Sequence, residues 1–320
     1  MLAVSDKSNT KDLRLGELLQ ADEHLHAYIL LDPMLREPLD ERLLDDCGAL
    51  VKSIPVRHSS LRDDQCPRLI SLRPQAVDLL DASLRAAENE QSDPSREVEA
   101  GFAIGGWLLS AVGIDEVARH LARIMGACSA QGAGRRYVRL ADRRVFEWLW
   151  PLLDGEQRAI LLGPVTSWVT LDRCGGGVPY TLDQPRIQAY TGASLALTAA
   201  QWSRLQQCEL IQAMIRGWRQ FATSLPADYL THAANAVDAA QGLGLSNQRD
   251  ILLLGAYQLQ VHPRLCTHPR VIEVVAGAVD GNIPLFVALE SIPDPDGWDA
   301  IRKQLQHAGA SARSNARARA

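Results

Sequence analysis

The amino-acid sequence predicts an α+β protein: an N-terminal α/β lobe with a mixed sheet flanked by helices, followed by an all-helical C-terminal lobe. Between Ala27 and Leu171 short apolar runs alternate with helical patterns, as expected where sheet and helix layers share one core. Beyond Asp172 the short runs stop, and apolar residues recur at steps of three and four. The two regimes meet at Gly175, Gly176, Gly177, Pro179 and Pro185, a stretch that reads as a flexible connection and a hinge. A length of 320 residues suits two domains better than one. The expected organisation is an N-terminal extension over 1–26, an α/β lobe over 27–171, a Gly/Pro-rich linker over 172–197, a helical lobe over 198–307 and a disordered tail over 308–320.

Taken in order, Tyr28–Asp32, Arg68–Leu72, Gly106–Ser110, Arg136–Leu140 and Val165–Leu171 are expected as strands. Helices are expected between them at about 37–50, 75–90, 114–126, 143–153 and 155–162. The segment from Glu88 to Glu99 is polar, contains Pro94 and reads as a surface loop, and Gly132 and Gly134 read as a turn. In the second half, Thr198-Ala-Ala-Gln201 has the spacing of a capping box, in which hydroxyl and amide each satisfy a free backbone N–H. Trp202, Leu205, Cys208, Ile211, Ile215, Trp218, Ala222 and Leu225 then mark one buried stripe on a single helix of roughly 35 Å. Pro226 should open the next helix and Gly242 and Gly244 close it; Ser246 should cap another, which Pro263 stops. Pro269 to Ala278 and Trp298 to Gln306 complete the helical set. The tail from Ala308 lacks the large apolar residues that packing requires.

Composition narrows the function. With 47% hydrophobic and 22% charged residues, the chain is neither wholly disordered nor collagen-like. A formal charge of −5 gives no general pull toward nucleic acid or anionic membrane, so neither is expected as a partner. Residues 1–15 carry Asp6, Lys7, Lys11, Asp12 and Arg14 and do not read as a secretory signal, and the apolar stretch Ile251–Ala256 is far too short for a bilayer. The six cysteines are scattered with no CxxC pair, so a reducing cytoplasm is the expected location. His24 and His26 beside Glu23, and His262, Cys266 and His268, are the nearest approaches to metal-ligand clusters, but neither has a recognised spacing. No metal and no cofactor is expected.

A catalytic group is equally hard to find. Cys174 beside three glycines lacks the Lys-Ser/Thr and following helix of a phosphate loop. Thr191-Gly-Ala-Ser194 lacks the second glycine of a nucleophile elbow. The pairs Asp45-Asp46 and Asp63-Asp64 sit in polar surroundings that solvate carboxylates rather than raise their pKa. The expectation is a non-enzymatic protein, with a hydrolase-like enzyme on an α/β scaffold as the alternative.

The unusual segment is aromatic. From Asp142, a plausible N-cap, to Asp154 the chain places Val145, Trp148, Leu149 and Leu152 on one helical face and Phe146, Trp150 and Leu153 on a second. A helix apolar on two sides needs two partners: either the sheet and the helical lobe, or the sheet and another chain. Arg143 and Arg144 at its start would pair with nearby carboxylates or hold an acidic partner.

These segments, in this order, resemble the bacterial type VI secretion adaptors, also called effector chaperones or Tap/TEC proteins. The resemblance is carried by Tyr28-Ile-Leu-Leu-Asp32, then Gly106-Trp-Leu-Leu-Ser110 leading to His120-Leu121, then Arg139-Leu-Ala-Asp-Arg-Arg-Val145, then Gln157-Arg-Ala-Ile-Leu-Leu-Gly-Pro164 running on to Trp168. It covers about 27–171, with a looser match from Thr198 to about Ile301. Where the family has aromatic-Asp-Pro-Arg-Val, this chain has Ala141-Asp142-Arg143-Arg144-Val145, and the missing proline makes the helix start less rigid. The resemblance implies a cytoplasmic bacterial adaptor that binds a toxin effector and loads it onto the VgrG spike. Trp107, Asp142, Arg143, Arg144, Phe146 and Trp150 are the candidate partner-binding residues, and the two lobes would close on cargo about the glycine hinge.

Overall fold

The structure, a computed structural model, describes residues 24–59, 61–129, 134–182, 192–281 and 283–317. The chain divides into two compact units, Met1–Cys208 and Glu209–Ala320. The first is built on a six-stranded sheet. Its strands are β1 His26–Leu31, β2 Val51–Ser53, β3 Arg68–Leu72, β4 Ile104–Ser110, β7 Val165–Leu171 and β8 Gly177–Tyr180, in the order β2-β3-β1-β4-β7-β8. Every neighbouring pair is antiparallel. Mixed strand directions occur in a second, three-stranded sheet of β5 Gly126–Ser129, β6 Arg135–Tyr137 and β9 Ala196–Leu197, where β5 runs antiparallel to β6 and parallel to β9.

Period-two alternation sends the strand side chains to two faces. On one, Ile29, Leu31, Ile70, Leu72, Trp107, Leu109, Val169 and Leu171 form a single core with Leu79, Leu80, Leu84 and Ala87. Those four come from the helix Val77–Ser92, α2 in chain order after α1 Glu41–Asp46. The Trp107 indole N–H donates to Ser83 Oγ at 3.0 Å, which satisfies a polar group that burial would otherwise strand. Further along the chain come α3 Glu97–Ala100, α4 Ile114–Met125, α5 Arg143–Leu149 and α6 Gly155–Leu162. Of these, α4 lies against β2 and β3, α5 against β4 and α6 against β7.

A bulge in β4 sets where α5 begins. The β1 partners step from Leu30↔Gly106 to Leu31↔Ile104, so Gly105 is the extra residue. A Cβ on Gly105 would lie 2.4 Å from the Ala141 carbonyl oxygen, and one on Gly106, which has φ of +133°, would lie 2.4 Å from the Val169 carbonyl oxygen. Only glycine lets the segment before α5 touch the strand.

Within the expected linker, residues 177–180 and 196–197 are strands. Residues 177–180 pair with β7, Leu171 opposite Gly177 and Trp168 opposite Tyr180. The glycines form the hairpin turn: Asp172 Oδ1 accepts the N–H groups of Cys174 at 2.8 Å and Gly176 at 2.7 Å, an Asx-type turn with Gly175 at φ +77°. Two carboxylate and two backbone bonds fix this turn, which weighs against a hinge at the glycines. Residues 183–191 of the expected linker, the expected extension before His24, and Gly132 lie outside the described residues.

The first unit closes on a helix, and the second is helical. The capping box at Thr198 forms as expected, but the long helix breaks at Gln207 into α7 Ala199–Gln206, in the first unit, and α8 Cys208–Phe221, with which the second begins. Gln207 is the C-cap, with its N–H turned onto the Arg204 and Leu205 carbonyls. There follow α9 Tyr229–Gly242, α10 Gln248–Val261, α11 Pro269–Asp280, the short α12 Leu285–Leu289 and α13 Asp296–Arg317. Asn247, not Ser246, caps α10, its side chain accepting the Arg249 N–H at 2.8 Å. The backbone of α13 continues through most of the segment expected to be a disordered tail. No described helix is long and apolar enough to cross a membrane.

Candidate functional site

The start of α5 is built as the sequence predicts, with Asp142 as N-cap accepting the Arg144 N–H at 3.0 Å. What surrounds it is a buried network. Arg143 runs inward and donates to Glu90 at 2.9 Å and to the carbonyls of Ala87 at 2.7 Å and Ile104 at 3.0 Å. Arg144 bridges Asp142 at 2.6 Å and Glu97 at 3.1 Å. Arg173, at the end of β7, forks onto the same Glu97 at 2.8 and 2.9 Å. Glu90 also accepts the N–H of Ala103 at 2.8 Å and Arg36 at 2.9 Å.

At the centre stands Phe102. The guanidinium carbons of Arg143, Arg144 and Arg173 lie 4.2, 4.9 and 4.7 Å from its ring centroid. Three cations around one ring is unfavourable unless each is neutralised, and Glu90, Glu97 and Asp142 supply that neutralisation. Burial works against the charge on Glu97, but Arg173 and Arg144 bring its pKa down to about 2. Glu90 goes the other way, because burial outweighs Arg143 and its backbone donors and raises it. Burial lowers Arg143 to about 10, still charged at neutral pH.

Beside this network runs an aromatic row. Phe146 stacks on Trp168 of the sheet at 4.1 Å and meets Tyr180 edge-on at 4.9 Å. Trp150 follows, 5.9 Å from Phe146 and 5.2 Å from Tyr180, with the Arg158 guanidinium 5.3 Å over its ring. On the other face of α5, Trp148 donates its indole N–H to the Arg204 carbonyl at 2.7 Å. Both apolar faces of α5 are therefore used: Phe146 against the sheet, Trp148 against α7. Trp150 stays half-exposed.

Burial sorts the six sequence candidates. Trp107, Asp142, Arg143 and Phe146 are 1–3% exposed and occupied by internal partners, so they hold the fold and do not present a contact surface. Arg144 keeps 13% of its side chain open while bound to two carboxylates. Trp150 remains as a surface aromatic, held by Arg158 and Tyr180. Sequence reasoning missed Glu90, Glu97, Phe102, Arg173 and Tyr180. Tyr180 had a signal in the alternation of Gly177-Val-Pro-Tyr180; Glu90 and Glu97 had none, lying in the segment read as a surface loop.

The other candidates have local partners. His262 Nδ1 accepts the Arg264 N–H at 3.1 Å, and His268 Nδ1 caps α11 at 3.2 Å while its Nε2 meets Gln304 at 2.7 Å. Cys174 is exposed at the hairpin turn, and burial raises the Cys266 thiol to about 11. Among the described residues no group of three or more His, Cys, Asp or Glu is placed to hold a metal ion.

Residues 27–159 match the model of a family described as a domain of unknown function, DUF4123. No curated protein and no solved structure matches the chain.

Proposed function

We propose that this chain, with a DUF4123 match over 27–159, is a non-enzymatic adaptor that binds a toxin effector and loads it onto the VgrG spike of a bacterial type VI secretion system, working in the cytoplasm. The observation that carries this reading is an overlap. The family match over 27–159 covers the ordered motifs from Tyr28-Ile-Leu-Leu-Asp32 through Arg139-Leu-Ala-Asp-Arg-Arg-Val145, which resemble the Tap/TEC adaptors, and ends inside Gln157-Arg-Ala-Ile-Leu-Leu-Gly-Pro164. DUF4123 is itself a domain known in such adaptors. The half-exposed Trp150, braced between Arg158 and Tyr180, is the contact anchor of this reading, since rigid aromatic and arginine side chains dominate protein interfaces.

The test is deletion in the native host. Loss of the adaptor should remove one toxin from the secreted fraction while the spike and tube proteins are still secreted, and the tagged chain should co-purify with that toxin. An unchanged secreted fraction, together with pull-downs containing neither toxin nor spike protein, would reject the adaptor role.

A further inference from the structure

In the first unit, away from the α5 network, a recess of about 410 Å³ opens beside β6. Its lining includes Arg57, His58, Arg123, Arg135, Arg136 and Tyr137, and no carboxylate among the described residues. In a chain of net charge −5 such a concentration of cations is not a compositional accident. The acids that neutralise the buried arginines of this unit are absent here: none of Arg57, Arg135 or Arg136 forms an ion pair with a described residue, and all three are exposed. Arg136 and Tyr137 also line a second recess, of about 250 Å³, with Val138, Val145, Trp202 and Leu205. There the Arg136 guanidinium lies 5.3 Å over the Trp202 ring. Tyr137 Oη and Trp202 Nε1 find no hydrogen-bond partner among the described residues.

The strand between these recesses is an edge. In the sheet order β6-β5-β9 only one side of β6 is paired among the described residues. Arg136 stands opposite Ala127, and Val138 donates its N–H to Met125 at 2.8 Å, so these residues turn their backbone groups toward β5. By strand alternation Arg135 and Tyr137 turn theirs outward. A row of outward backbone groups is a template for another strand.

We infer that the outer edge of β6 is a docking site for an extended acidic segment of a partner protein, which adds as a strand with carboxylates toward Arg57 and Arg135 on one face and an apolar side chain in the Trp202 recess on the other. Charge complementarity selects the occupant, and the edge selects its form. A nucleic acid would answer the cations but could not pair with the strand edge. The inference is independent of the adaptor reading, since it requires neither a secretion system nor a toxin.

The test uses the full chain and a short fluorescein-labelled peptide alternating glutamate with valine, followed by fluorescence anisotropy. Three further probes are its lysine–valine counterpart, the glutamate peptide with proline at alternate positions, and single-stranded oligothymidylate of similar charge. The glutamate peptide should bind saturably, and more weakly as salt rises. Arg135→Glu combined with Arg136→Glu should weaken it at least about tenfold, whereas Arg249→Glu in the other unit should change it less than about twofold. The proline peptide, unable to pair along its length, should bind at least about fivefold more weakly. Circular dichroism verifies folding, and the Arg135→Gln, Arg136→Gln pair serves if the charge reversal unfolds the protein. Absence of saturable binding, indifference to the arginine changes, equal binding of the lysine or proline peptide, or tighter binding of oligothymidylate would each overturn the inference.

Discussion

Glu97 receives both terminal nitrogens of Arg173 at 2.8 and 2.9 Å, and neither side chain is more than 2% exposed. The fork joins the end of β7 to α3 across 76 residues of sequence. Arg144 shares the same carboxylate, so one acid ties three parts of the first unit together.

Glu97→Gln leaves the buried Arg173 guanidinium without its counter-charge and Arg144 with Asp142 alone, and should cost about 3–5 kcal/mol in urea unfolding at neutral pH. The stability from this carboxylate is fully present above its ordinary pKa of 4.5 and is lost as pH falls toward its folded value of about 2. Acid unfolding of Glu97→Gln should accordingly show a shallower loss between pH 4.5 and 2 than the parent. Equal slopes would mean that Glu97 does not carry the charge assigned to it.

Trp150→Ala should weaken capture of the cognate partner by roughly 1–3 kcal/mol, measured by calorimetry with the co-purified protein. It removes contacts to Tyr180 and Phe146 as well, so its melting temperature is to be compared with that of Trp150→Phe, which keeps the ring stack. Binding unchanged in the alanine variant would assign this tryptophan to packing alone.

Gly163→Ala should be severe. Gly163 has φ of +55°, and a Cβ there would meet the His120 ring at 2.4 Å. His120 is buried with Nε2 2.9 Å from the Leu161 carbonyl, and burial lowers its pKa to about 4. Backbone strain and the clash together should cost upward of about 2 kcal/mol. The stability held by neutral His120 is present above its ordinary pKa of 6.5 and lost as pH falls through about 4; His120→Gln should flatten that part of the profile.

Asp172→Ala removes the acceptor for the N–H groups of Cys174 and Gly176 and should destabilise the β7–β8 hairpin by about 1 kcal/mol. Limited proteolysis should then cut first at residues 173–176. A parent protein already cleaved there as fast as the variant would restore the hinge that the glycines suggest.

The sequence exposed those elements whose burial follows a local period. β1, β3, β4 and β7 are short apolar runs, α4 and α6 fall where the three-and-four spacing places them, and the caps at Asp142 and Thr198 act as spaced. Elements without such a period were invisible. Val51–Ser53 is wholly exposed and shows no apolar run, and β8 hides behind the glycines of its own turn. The buried places of Arg143 and Arg173 left no trace in the sequence because their compensation comes from Glu90 and Glu97, 53 and 76 residues away, and no local pattern records such a pairing. The candidate site was thus legible as a segment but not as a set of contacts: its aromatic helix was found, and the interior position of most of its side chains was not.

All seven residues of β4 are buried, and among the described residues the strand alone joins the β2-β3-β1 and β7-β8 parts of the sheet. Its amides can reach solvent only when the sheet parts along its middle, so their hydrogen exchange reports the opening of the whole first unit rather than local fraying. A chain divided between 111 and 113 would leave β4 with one fragment and β7 with the other, each with a long unpaired apolar edge. Neither fragment should persist alone as a folded monomer, while mixing the two should regenerate the sheet by complementation.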